Sequence, residues 1–257
     1  MKNNLLKILI ITVTLLSFSE LALAQAKGNP STAAKSSSRG SGNNPKIRLL
    51  ATFDYSMINP SNLNDYRSTL LWSGTTRTQG TFNAMNGFTV GAAYLLGSGY
   101  AGLEYSGANQ ELTATTIPPG TFSVQDTIQY QTVYAVYDWV KSINNSSSYE
   151  LGGGIGYAIK FEHHWVVKSG TGTDDVIWQA NPVVAKLRAA YNYHFSQNVK
   201  ARFGAAYEYA TAPSLTADAN HATGPITSGQ TLQNSSNQNV SVDISGLRLN
   251  VGMIVAF

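Results

Sequence analysis

What the chain lacks constrains it first. None of its 257 residues is cysteine, so there is no disulfide framework, no thiolate metal site and no cysteine for lipid attachment. Charged residues are only 12% of the total. Beyond the first two dozen residues no run approaches the roughly 18 apolar residues a membrane-crossing helix needs. From Ile47 onward, 11 Lys and Arg stand against 13 Asp and Glu, so the formal net charge of +3 belongs to the amino-terminal stretch. The remainder lacks the basic surplus of a nucleic-acid binder, and no nucleic acid is expected as a partner. Prolines are few, and Pro60, Pro118, Pro119, Pro182, Pro213 and Pro225 all fall between alternating segments or at their edges.

The amino terminus carries an export pattern. Lys2 and Lys7 precede an apolar stretch, Ile8 to Leu16, broken only by Thr12 and Thr14. Ala22-Leu23-Ala24 is a small-x-small cleavage site, so residues 1–24 read as a signal peptide. Residues 25–46 are rich in Ser, Gly and Asn, carry Lys27, Lys35, Arg39 and Lys46 and no acid, and read as a disordered periplasmic tail. Residues 47–257 are a different material.

There the dominant signal is a period of two, the mark of strands with unlike faces. Eight segments show it. The last sets Leu247, Leu249, Val251, Met253, Val255 and the terminal Phe257 against Arg248 and Asn250. The fifth sets Tyr149, Leu151, Ile155, Tyr157, Ile159 and Phe161 against Glu150, Lys160 and Glu162. The fourth sets Ile128, Tyr130, Thr132, Tyr134 and Val136 against Gln129, Gln131 and Ala135. Gly97-Ser98-Gly99 and Ser196-Gln197-Asn198 are tight-turn sequences, whereas 58–87, 107–126, 163–182 and 210–239 are long and polar. Without a spanning helix, only a closed barrel satisfies every backbone group in lipid. Charge on a lipid face costs a few kcal/mol near mid-membrane, so the apolar set is expected outside. A soluble barrel would reverse the faces. A change of phase near Gly246 is expected where Val240, Val242 and Ile244 run into the last strand.

Alternation that ends the chain on an aromatic, behind an export leader, resembles the small eight-stranded bacterial outer-membrane barrels of the OmpA transmembrane-domain, OmpX and OmpW kind. The resemblance covers residues 47–257 and carries no ligand signature. It implies an all-β, eight-stranded antiparallel transmembrane barrel with both ends in the periplasm and long loops outside. It also implies outer-membrane lipid and lipopolysaccharide as surroundings, and insertion by the barrel-assembly machinery with Phe257 as the recognition residue.

The inward positions then carry Arg48, Lys160, Lys186, Arg188, Lys200, Arg202 and Arg248 against Asp54, Glu104, Glu150, Glu162 and Glu208. Unpaired buried charge is costly, so these should pair across the lumen, with Glu208 near Arg248, and Lys160 and Glu162 facing Lys186. A salt-bridged plug and a narrow pore for small solutes both fit such a lumen. His194, Ser196 and Glu208 have the residue types and spacing of the outer-membrane lipid A deacylases, but face inward and lie at opposite ends of a strand. Glu162, His163, His164, Asp174 and Asp175 offer metal-ligand chemistry, yet adjacent histidines of a strand point to opposite faces. Leu151-Gly152-Gly153-Gly154-Ile155-Gly156 sits within a strand and is no nucleotide loop. No cofactor, metal or catalytic group is expected; a ligand for the long loops is.

Overall fold

The computed structural model of the protein describes residues 45–69, 76–77, 80–117, 122–169, 172–218, 226–234 and 236–257. The expectations for the leader, and for all but the last two residues of the tail, lie outside these. Lys46–Phe257 forms one compact unit.

Eight strands make the wall: β1 (Ile47–Ile58), β2 (Ala84–Leu96), β3 (Gly99–Ile117), β4 (Phe122–Asn144), β5 (Ser147–Ser169), β6 (Val183–His194), β7 (Val199–Ala212) and β8 (Gly246–Ala256). Each pairs antiparallel with the next. β8 returns to β1, from Arg48↔Ala256 to Ile58↔Gly246, and closes the ring. Gly246 permits that closure, since a Cβ there would stand 1.8 Å from the Met57 carbonyl oxygen. The wall is an eight-stranded antiparallel transmembrane β-barrel with no free edge along the ring.

One end of the barrel has tight turns. Gly97 takes φ 65° in the β2–β3 turn. The β4–β5 turn is only Asn145-Ser146, fastened by the Ser146 N–H donating to Asn144 Oδ1 at 2.8 Å. Ser196 Oγ accepts the Asn198 and Val199 N–H groups in the β6–β7 turn. The other end differs from the expected polar loops. β3, β4 and β5 run 19, 23 and 23 residues, about twice what spans a bilayer. A further strand, Gly172–Ala180, pairs with the upper part of β5. Of the stretches expected as loop, 107–126 and 163–182 are therefore largely sheet projecting beyond the lipid.

Outside, the apolar belt is bare: Leu103 is 62% exposed, Ile155 68% and Leu187 74%. Exposed Tyr94, Tyr191 and Phe257 mark its turn end; Tyr55, Tyr157 and Tyr209 mark the other. Beyond the latter, outward residues on β4, β5 and the added strand become polar, as at Gln129, Gln131, Glu162 and Gln179.

Three expectations about faces are corrected. On β4 the apolar set points inward: Ile128, Tyr130, Thr132 and Tyr134 are fully buried. On β5 the register slips where Gln131↔Lys160 is followed by Thr132↔Ala158, leaving Ile159 as an extra residue. That bulge turns Phe161 inward, 1% exposed, and sends Lys160 and Glu162 outward. Before β8 no change of phase occurs, because Val240, Val242 and Ile244 are buried on the same parity as Arg248.

One physical fact underlies these corrections: the barrel's upper interior is a hydrophobic core. Helix α1 (Ser61–Thr69) and the segments following β7 fold over the mouth. Leu63, Phe82, Tyr134, Phe161, Leu232 and Val240 pack together there, each contributing on the order of 1.5–3 kcal/mol by burial. Asn64 ties α1 down, its amide donating to the Phe82 carbonyl and accepting the Phe82 N–H, both at 2.9 Å.

Candidate functional site

Below the apolar core the lumen is charged. Arg48, Lys186, Arg188, Arg202 and Arg248 face Asp54, Glu104, Asp138, Glu150 and Glu208, five cations against five anions, all buried. Neutrality of this kind is what burial demands, because an isolated charge in the interior costs several kcal/mol.

The pairing has two tiers. At the turn end, Arg48 bridges Glu150 at 2.8 Å and also binds Asp138. Arg188 donates Nε to Asp138 Oδ1 at 2.6 Å and Nη1 to Glu104 at 2.7 Å. Lys186 Nζ donates to Glu104 Oε2 at 2.7 Å while standing 3.8 Å from the centre of the Tyr134 ring. Arg202 pairs with the other oxygen of Glu150. The second tier centres on Arg248. It lies 2.9 Å from Glu208 and 3.7 Å from Asp54, and donates to Ser106 Oγ at 2.6 Å and Ser56 Oγ at 3.1 Å. Asp54 accepts in turn from Thr52 and Thr89. The cavity left among these groups, lined by Asp54, Glu104, Arg188, Arg202 and Arg248 among others, is about 20 Å³. That is room for about one water and far below a hydrated ion's path.

Three sequence-derived members stand apart. Lys160 and Glu162 pair with each other at 3.0 Å on the outer surface, not with Lys186, because the β5 bulge reverses their side. Lys200 is half-buried at the turn end of β7. Conversely, Asp138 was not foreseen. It lies two residues past Val136 on the inward parity of β4, the parity that alternation alone assigns to lipid.

A third polar cluster, also unforeseen, lies above the belt. Asp126 binds Arg67 of α1 and accepts a hydrogen bond from His163 Nε2–H at 2.6 Å. Arg67 lies 4.3 Å over the Phe82 ring and donates to the Gly80 carbonyl. Burial pushes the Asp126 carboxyl up, but His163 and Arg67 outweigh it and hold it below its ordinary value. Burial, reinforced by Asp126, raises the Tyr66 hydroxyl.

The catalytic and metal readings come apart on geometry. His194 Nε2 meets Ser148 Oγ at 2.9 Å, but Ser148 is 1% exposed. Ser196 is spent on its turn and Glu208 on Arg248. His163 faces the core, whereas His164 pairs with Asp175 at 2.7 Å outside. Among the described residues no three potential ligands gather into a metal site.

No family model matches the sequence, and no curated protein does so either. Solved structures of similar shape include Neisserial surface protein A (10% identity, TM-score 0.40, covering 82% of this chain and 97% of that one). The outer-membrane protein OprG of Pseudomonas aeruginosa shares 12% identity at TM-score 0.44, over 83% of this chain and 96% of that one. The outer-membrane protease OmpT of Escherichia coli shares 12% at TM-score 0.43, over 84% and 98%.

Proposed function

We propose that the protein is a non-conducting, non-enzymatic barrel of the bacterial outer membrane, which serves the envelope as a rigid scaffold and recognises partners through its projecting sheet and loops. In this reading the termini are periplasmic and the long-stranded end is extracellular. Surrounding lipid and lipopolysaccharide hold the belt, and the assembly machinery receives the chain through Phe257.

The carrying observation is that the lumen is closed twice, by the balanced charge network and by the apolar core above it. A path for solute would have to break both. What remains available for function is the sheet beyond the belt, a rigid platform of the kind on which binding surfaces are commonly built.

Accessibility in intact cells tests the reading. Single cysteines introduced at Gln179, on the projecting sheet, and at Ser98, in a tight turn, are exposed to a membrane-impermeant maleimide. Labelling at position 179 alone is expected. Labelling at 98 alone would reverse the orientation and remove the loops as a cell-surface platform.

A further inference from the structure

The charged lumen holds one cation more than its carboxylates cancel. Lys200 has the inward parity of Arg202, two residues on, and makes no ion pair among the described residues. With it, six inward cations face the five carboxylates, which leaves one uncancelled positive charge.

The hydrogen-bond donors show the same surplus. Arg202 is 2% exposed, yet among the described residues its guanidinium bonds only Glu150, through Nη1. A guanidinium has five N–H donors, so Nε and Nη2 are unspent in the interior. Unspent buried donors are costly, the more so on a charged group. The other guanidinium groups around the central cavity are committed. Arg188 donates from Nε, Nη1 and Nη2. Arg248 donates from Nε and Nη1 and meets Glu208 through Nη2.

The two surpluses meet at the 20 Å³ cavity. Its lining includes four cations, Lys186, Arg188, Arg202 and Arg248, against two carboxylates, Asp54 and Glu104. Both carboxylates are engaged: Asp54 by Thr52 at 2.8 Å and Thr89 at 2.5 Å, Glu104 by Lys186 and Arg188 at 2.7 Å. Asn250 also lines the cavity, and its Oδ1 is buried without a bond; turned over, that amide offers the cavity an N–H. The volume admits one water-sized body and no polyatomic anion such as a phosphate or a carboxylate.

We infer that this cavity is a site for a single halide ion, held by the unspent N–H groups of Arg202 in the field of Lys186, Arg188 and Arg248. Size selects a monatomic ion, and the single uncancelled charge selects a monovalent one. Such an ion ties β6, β7 and β8 together from inside and makes the stability of the barrel depend on halide. It adds to the sealed lumen and does not rest on the orientation proposed above. A water, which would answer Asn250 Oδ1, is the competing occupant.

The test is the halide dependence of folding. The full chain, refolded in detergent, is unfolded by urea in sodium bromide and in sodium gluconate at equal ionic strength. Screening is then constant, and gluconate is too large to enter. Once bromide exceeds its dissociation constant, each tenfold rise should shift the folding equilibrium about tenfold toward the native state. Ala206→Val, which fills the cavity from a lining position and leaves every charge in place, should abolish the shift. Arg202→Gln should abolish it too. Folding of each variant is confirmed by heat-dependent gel mobility, and Ala206→Val carries the test should Arg202→Gln not fold. Crystals of the wild type soaked in bromide should show one anomalous peak beside the Arg202 guanidinium. Equal urea midpoints of the wild type in the two salts, a shift retained in Ala206→Val, or a lumen without that peak overturns the site and leaves water as the occupant.

Discussion

Arg188 and Asp138, fifty residues apart in the chain, meet at the base of the lumen with Nε and Oδ1 at 2.6 Å. Asp138 also receives Arg48, so one carboxylate holds guanidinium groups from two strands, β1 and β6. Replacing it leaves Arg48 to Glu150 and Arg188 to Glu104 and puts the buried network one negative charge short. Asp138→Asn should destabilise the barrel by about 3 kcal/mol, the scale of a broken buried ion pair. Urea unfolding in lipid vesicles measures this. Lys160→Gln, on the outer surface, should stay within about 0.5 kcal/mol of the wild type. Equal effects for the two variants would contradict the division between lumen and surface charges.

Asp126 makes the stability of the covered mouth depend on acid. Its folded carboxyl is held below its ordinary value, burial being outweighed by His163 and Arg67. A depressed carboxylate stabilises fully above the unfolded value, and the stabilisation fades as pH falls through the folded one. The gap in thermal midpoint between wild type and Asp126→Asn should therefore hold steady between about pH 7 and 5 and shrink only below the ordinary carboxylate range, about pH 4. A gap that widened on acidification would reverse the sign.

The proposed role of Phe257 as the assembly signal predicts an effect on assembly that is separate from stability. Its backbone closes on Ile47 from both sides, N–H to oxygen at 2.8 Å and 3.1 Å, while the residue as a whole is 54% exposed. Phe257→Ser keeps the backbone bonds. It should cut the yield of heat-modifiable barrel in cells severalfold yet leave refolding in detergent and the unfolding midpoint near wild type. A matching loss in detergent would make the ring a structural group instead of a signal.

The strand count was legible because every wall strand carries a run of true alternation, and Phe257, Gly97-Ser98 and Ser196 punctuate the ends. Alternation says that two faces differ, not which face meets lipid. On β6, β7 and the last strand the inward face is charged, so the assignment follows from Lys186, Arg202 and Arg248 alone. On β4 it fails. Tyr130 and Tyr134 face an apolar core made by α1 and by residues after β7, and nothing local announces a core inside a barrel. Lys160 and Glu162 were misplaced by a single extra residue, Ile159, whose bulge has no sequence marker. Asp126, Arg67 and His163 come from three distant segments, so their cluster exists only in the folded chain.

Single-channel conductance in a planar bilayer tests the sealed lumen most directly. The wild type should insert and stay silent, insertion being shown by protease protection. Arg248→Ala with Glu208→Ala, which opens the second charge tier but leaves the apolar core above it, should stay silent too. Steady openings of the wild type, shifted by those same substitutions, would make the lumen a pathway and contradict the account.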